Sequence, residues 1–251
     1  MKSQYKQKKI VYLQPNLFKM KKTILILTSL LCMICISCQD ESGDFIQQMF
    51  TDSELTSAAR SCLTVSKDTA VSHLCDTDLL NTNETYRVTF PDNVDFRSLR
   101  QVLETQGQSQ LLTLLETQMN AACELMGDNV TSTFNSTISS LTFSSPSELI
   151  YGSDNALTTY FQMKCESGLQ SALASAMAAK MQLTGAASTW NDILMLYYSS
   201  QNAPFSFDLN QYVLQNFMNA IFAEMEKEEA LIRHDASHQV VKKLKEVFGD
   251  N

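Results

Sequence analysis

The sequence predicts an all-α fold, a single compact bundle of about eight helices with one short extended segment. Three observations lead there. Only seven glycines and four prolines punctuate 251 residues, too few turn residues for a many-stranded barrel or sandwich. Beyond residue 51 the apolar residues recur mostly at three- and four-residue steps, the spacing of a helix face. Hydrophobic residues make up 44% of the chain, enough for a buried core and too many for wholesale disorder.

Taken in order, residues 52–75 read as the first helix, with Leu55, Ala59, Leu63, Ala70 and Leu74 at helical spacing. Asn81-Thr82-Asn83 breaks the pattern. Tyr86-Arg87-Val88-Thr89-Phe90-Pro91 is the one extended segment; Pro91 ends it and biases Phe90 away from helix. Helical pattern returns over 95–104 and 108–125, the latter with a stripe of Leu111, Leu115, Met119, Ala122 and Leu125. Residues 129–141 are rich in Ser and Thr, yet Val130, Phe134, Ile138 and Leu141 keep helical spacing. Ser145-Pro146-Ser147-Glu148 has the form of a capping box with proline in the first helical position, and Gly152 stops that short turn.

Residues 155–182 form the longest uninterrupted helical stretch. Its second half, Ser171 to Lys180, is rich in small residues that permit close approach of another helix. Gly185 separates it from a helix over 190–198. Asp208-Leu209-Asn210-Gln211 is a second capping-box pattern and opens a helix running to about Arg233. A last helix spans 237–248 and ends at Gly249, with Asp235 placed as its N-cap. No internal repeat is visible.

The charge distribution divides the chain. Seven of the 19 Lys and Arg precede Cys38 and all 27 Asp and Glu follow it. From Cys38 onward, 12 basic side chains face 27 acidic ones, a net of −15 against −8 for the whole chain. Such a body is repelled by phosphate backbones, so nucleic acid is not an expected partner.

Met20-Lys21-Lys22 opens a basic stretch followed by the apolar run Thr23 to Ser37. That run is shorter than the roughly 20 residues a membrane-crossing helix needs. A basic region, a short apolar region and a small residue are together the signature of a secretory signal. Of Cys32, Cys35 and Cys38, only Cys38 follows a small residue, Ser37, as the narrow pocket of a signal peptidase requires. Cys35-Ile36-Ser37-Cys38 resembles a bacterial lipobox, with Cys35 where Leu is common. Cys38 is therefore the expected lipidation site, palmitate or a similar acyl chain the expected modification, and a membrane the expected partner. The expected location is the cell envelope at the outer membrane, on its periplasmic or its surface face. The segments read as an upstream extension (1–19) preceding the true start at Met20, a signal peptide (20–37), a flexible tether (38–51) and a helical domain (52–249). The tether begins Gln39-Asp40-Glu41-Ser42-Gly43-Asp44. This acidic stretch resembles those that route some lipoproteins to the cell surface, and reads equally as a solvated linker.

Five motifs occur in order along the body: Asn120-Ala121-Ala122-Cys123-Glu124, Ala156-Leu157-Thr158-Thr159-Tyr160-Phe161, Leu209-Asn210-Gln211-Tyr212-Val213, Glu228-Glu229-Ala230-Leu231-Ile232-Arg233 and Leu244-Lys245-Glu246-Val247-Phe248-Gly249. Together they resemble the bacterial envelope family called "domain of unknown function 4197" over roughly residues 52–249. The resemblance implies a helical, exported and often lipid-anchored protein, with no established catalytic residue. The sequence departs from the family in having Asp235-Ala236 where a proline usually follows the Glu-Glu to Ile-Arg motif, and in its glycine lying early, at Gly152.

The most suggestive cluster is Glu228, Glu229 and Arg233. Glu229 and Arg233 stand four residues apart in the order that favours an ion pair on a helix. The pair reads either as the lining of a hydrolytic site or, preferably, as a surface or interhelix clamp near a helix C-terminus, where Arg also suits the macrodipole. His234 and His238 have the spacing of two metal ligands on one helix face, but structural or solvated histidines are the expectation, with no metal and no cofactor. Cys62, Cys75, Cys123 and Cys165 are expected to be free; Cys62 and Cys75 on one helix stand about 20 Å apart, beyond disulfide reach. Asp68-Thr69-Ala70 resembles a short O-glycosylation acceptor but falls inside a helix. No nucleotide loop, HExxH signature or Gly-x-Ser-x-Gly elbow is present. A non-catalytic role, binding a protein partner or small ligand or purely structural, is the first expectation. A hydrolase using Glu228, Glu229 and Arg233 is the second, and an apolar-ligand carrier built on the Met- and Ala-rich faces of Ser171 to Met181 the third.

Overall fold

The computed structural model describes residues 50–75, 79–200 and 204–249; Cys38, the stretch read as a signal peptide (20–37) and all but the last two residues of the expected tether (38–51) lie outside the described residues. Helix α1 (Asp52–Leu74) starts at a complete capping box: the Thr51 side chain accepts from the Glu54 amide, and the Glu54 carboxylate accepts from the Thr51 amide at 2.8 Å. The helix begins where its apolar spacing predicts, although the Thr-Asp-Ser-Glu signal of the box itself escapes the periodicity argument. There follow α2 (Leu79–Thr82), a 3₁₀ turn (Val94–Phe96), α3 (Arg97–Thr105), α4 (Gln110–Glu124), α5 (Gly127–Ser140), α6 (Pro146–Ile150), α7 (Ala156–Leu183), α8 (Ala186–Ser200), α9 (Leu209–His234), a second 3₁₀ turn (Ala236–His238) and α10 (Lys242–Phe248). Among the described residues these are ten α-helices, eight of them seven residues or longer, with no strand. The fold is all-α.

Helix α9 is the central element, packed against α1, α7, α4 and α10. It buries Val213, Phe217, Met218, Ile221, Phe222, Met225 and Ile232. Surrounded in this way, it also buries Glu224, Glu228, Glu229 and Arg233. A charge taken out of water this completely persists only with partners, and those partners form the site described below.

Several local expectations need correction. Ser145 makes no side-chain cap bond, so the box at Ser145–Glu148 is not formed, although Pro146 does occupy the first turn of α6. At α9 half of the second box forms, with Asp208 accepting from the Gln211 amide. The predicted last helix breaks in two: Asp235 caps the 3₁₀ turn by accepting from the Ser237 amide, and α10 starts only at Lys242. In α4 the ends of the apolar stripe leave the core: Leu111 is half-buried and Leu125 exposed. Ser and Thr side chains in α5 bond back to carbonyls one turn earlier, Thr137 to Thr133 at 2.8 Å, which reconciles their number with a helix.

The extended segment has no partner strand. Side chains supply its ladder instead. The Asn120 side chain accepts from the Val88 amide at 2.8 Å and donates to the Val88 carbonyl at 2.9 Å. The Phe90 amide donates to Glu116 at 2.9 Å, and the Tyr212 hydroxyl donates to the Thr89 carbonyl at 2.8 Å. Beside it Phe90, Phe96, Trp190, Phe205 and Phe207 pack edge-on at ring distances of 4.8–6.5 Å.

Gly185, between α7 and α8, has φ of +87°, and a Cβ there would stand 2.9 Å from the Gln118 side-chain nitrogen. Gly185→Ala is expected to lower stability by about 1–2 kcal/mol, the cost of a left-handed residue with a Cβ. Urea unfolding of the variant beside the parent measures it.

Candidate functional site

The cluster expected from sequence lies on the last three turns of α9, and its members point in two directions. Glu229 is fully buried and reaches the first turn of α7, where it accepts from the amides of Leu157 (2.9 Å) and Thr158 (2.7 Å). Asn155, the residue before α7, makes no side-chain cap bond. A carboxylate from another helix therefore caps the 28-residue helix, at the end where its dipole favours negative charge.

Arg233 donates twice to Glu229, at 3.1 Å from Nε and 2.6 Å from Nη2. Its remaining donors reach the carbonyls of Ile150 and Leu149 (2.9 Å for the latter), the last of α6. The guanidinium also lies 5.3 Å over the Phe248 ring of α10. The pair thus closes the C-terminus of α6 and the N-terminus of α7 at once, fixing the corner between them. It is a buried interhelix clamp rather than a surface one. Both Glu229 oxygens are engaged, so the carboxylate has nothing left to offer a substrate.

Glu228 faces the other way, into the seam between α9 and α1. It meets His238 Nδ1 at 2.9 Å, while one turn earlier Glu224 meets His73 Nδ1 of α1 at 2.6 Å. The other Glu224 oxygen accepts from the Tyr86 hydroxyl and from Lys227 (2.9 Å), whose ammonium sits 4.7 Å over the Tyr86 ring. Of these groups His73, Glu228 and His238 line an open groove of about 730 Å³, together with Asp68, Thr69 and Ser72 of α1 among others. Glu224, His73, Tyr86 and Lys227 escape sequence reasoning: the only local signal is the four-residue step from Glu224 to Glu228, and His73 lies 151 positions from its partner.

His234 does not join His238. It sits at the end of α9 and pairs with Asp154 at 2.7 Å, while His238 lies past the helix break. The ligand-like spacing in sequence does not survive that break. Among the described residues no group of three or more His, Cys, Asp or Glu is arranged to hold a metal ion. All four body cysteines are free, with Cys62 and Cys123 buried. Burial pushes the Cys75 thiol up to about 12 and raises those of Cys62, Cys123 and Cys165 above the ordinary thiol value, so none is a ready nucleophile at neutral pH.

Glu224 and His238 are among the groups in the seam whose surroundings shift them from their ordinary values. Burial raises the Glu224 carboxyl, but hydrogen bonds from Lys227, Tyr86 and His73 outweigh it and hold the group below the usual range. Hydrogen bonding to the Glu228 carboxylate, which accepts from the imidazole, raises His238. A raised histidine contributes stability that is complete below its unfolded value of about 6.5 and is lost as pH rises through its folded value. The melting temperature of the parent minus that of His238→Gln should therefore shrink on going from pH 6 upward. A difference that stays flat from pH 6 to pH 8 would contradict this assignment.

Residues 49–249 match the family described as "Protein of unknown function (DUF4197)". The match spans most of the chain, and the protein belongs to that family. Neither the curated proteins nor the solved structures include a match to it. Two motifs that mark the family resemblance, Glu228 to Arg233 and Ala156 to Phe161, are joined in space by the Glu229 cap on Leu157 and Thr158.

Proposed function

We propose that this is a lipid-anchored cell-envelope protein, held at the outer membrane through acylated Cys38, whose helical body has a non-catalytic binding or structural role. The observation that carries the non-catalytic reading is the saturation of Glu229 and Arg233 by backbone groups of α6 and α7. The strongest catalytic candidate in the sequence is occupied in holding a corner together. The anchor rests on the signal pattern of residues 20–38 and on the choice of Cys38 by Ser37. No described helix is long and apolar enough to cross a membrane. Cys38→Ser is the test: the parent should incorporate labelled palmitate and sediment with membranes, and the variant should do neither. Equal labelling of both proteins would remove Cys38 from the proposal.

The hydrolytic reading keeps one supporting observation, now moved away from Glu229. His73 with Glu224 is a histidine–carboxylate pair on an open groove that also holds Thr69 and Ser72, the arrangement of a general base with its orienting acid. Hydrolysis of an ester panel by the parent and its loss in His73→Gln would favour it. Of the face behind the apolar-carrier reading, Leu173, Met177 and Met181 are packed in the core, while Ala174 and Ala178 line an open groove.

A further inference from the structure

Away from the carboxylate row, the N-terminal half of α9 carries a surface of different chemistry. Two open grooves of about 480 and 430 Å³ flank its first turns and share Asp208 and Gln211. Each is within the roughly 300–1,000 Å³ of small-molecule clefts. On the α7 side the walls include Gln170, Ser171 and Ser175, and the short side chains of Ala174 and Ala178 keep that groove open. On the other side they are Gln215, Asn216 and Asn219, with Tyr212 and Phe207 contributing aromatic rings.

Amides from the two helices are tied into one ladder. Gln170 donates to Gln215 and to Glu166, and Gln215 donates to Glu166 at 2.9 Å and to Asn219 at 3.0 Å. This interlocking fixes the planes of Gln170 and Gln215 and uses both N–H groups of each, so the amides open to a ligand are those at the junction of the grooves. Asn210 and Gln211 stay exposed at the junction of the grooves.

The lining excludes most ligand classes. Among the described residues neither groove is lined by Lys, Arg or His, so an anion finds no counter-charge there. The one carboxylate among them, Asp208, already caps α9, which leaves little for a cation. A large apolar ligand would strand the amides unbonded, at about 1–3 kcal/mol for each buried group. What fits is an uncharged molecule dense in hydroxyls, which both donate and accept as amides do, and whose C–H faces lie against aromatic rings.

We propose that the paired grooves on either side of Asp208 and Gln211 are a binding site for a neutral oligosaccharide, running from Ser171 and Ser175 over Gln211 to Tyr212 and Asn216. The site lies apart from the His73–Glu224 groove and depends neither on the anchor nor on catalysis. Electrophoresis of the full-length protein through native gels containing dextran, mannan, hydroxyethylcellulose or xyloglucan, with heparin as the anionic comparison, tests it. At least one neutral polysaccharide should retard the protein and heparin should not. In the double variant Asn210→Ala, Gln211→Ala the apparent Kd should rise tenfold or more; both positions are exposed and alanine is the better helix former, so the fold is kept. Ser175→Phe, which fills the first groove, should weaken binding as well. Migration unchanged by every neutral polysaccharide, retardation by heparin alone, or full binding by both variants would overturn the proposal. A Cys38 without lipid in a protein that still binds would remove the anchor and leave this site standing.

Discussion

Arg233→Ala is expected to cost about 3–5 kcal/mol of folding stability, the loss seen when one member of a buried ion pair is removed. Three effects converge on that change. Glu229, with no exposed surface, loses its charged partner. The carbonyls of Leu149 and Ile150 lose their donors at the end of α6. Phe248 loses the cation over its ring, loosening α10. Guanidinium unfolding followed by circular dichroism measures the sum. Glu229→Gln with Arg233→Met should recover part of the loss, because it leaves no uncompensated charge in the core. A cost below about 1 kcal/mol for Arg233→Ala would mean that the pair does not hold the α6–α7 corner.

The second large effect is expected at Asn120, on α4 and wholly buried. Asn120→Leu keeps the size of the side chain and removes its polar head. The Val88 amide and carbonyl then stand in the core with no partner, at about 1–3 kcal/mol each, a total of roughly 2–6 kcal/mol. The damage should be local as well as global: the Val88 amide should exchange with solvent far faster than in the parent, while amides in α9 keep their protection relative to global unfolding. Unchanged exchange at Val88 would show that the segment 86–91 is held by its aromatic neighbours instead.

Asn120 also shows how far sequence reading reaches here. The helices were legible because their signals are local. Leu55, Ala59, Leu63, Ala70 and Leu74 alone place α1, and Gly185 marks a boundary that only a positive φ could make. The extended character of residues 86–91 was legible from the break at Asn81-Thr82-Asn83 and from Pro91. What satisfies that segment was not, because the partner is an amide 32 positions away. The same limit applies to the candidate site. The four-residue step made the Glu229–Arg233 pair readable, yet its role depends on which helix ends pack against it, and α6 and α7 lie more than 70 positions off. Glu228 was singled out without its histidine, because the continuous helix expected over 237–248 concealed the turn that brings His238 back to α9. At Ser145 the capping-box pattern is present in the sequence, but the residue makes no side-chain cap bond and only Pro146 marks the start of the helix.

The central proposal, a helical body tied to the envelope by lipid, meets its most direct test in the intact mass of the mature protein extracted from native membranes. The account predicts a chain beginning at Cys38 and heavier than its sequence by a diacylglyceryl group with or without a further acyl chain. A mature chain in which Cys38 is internal, or is N-terminal with an unmodified thiol, would contradict it.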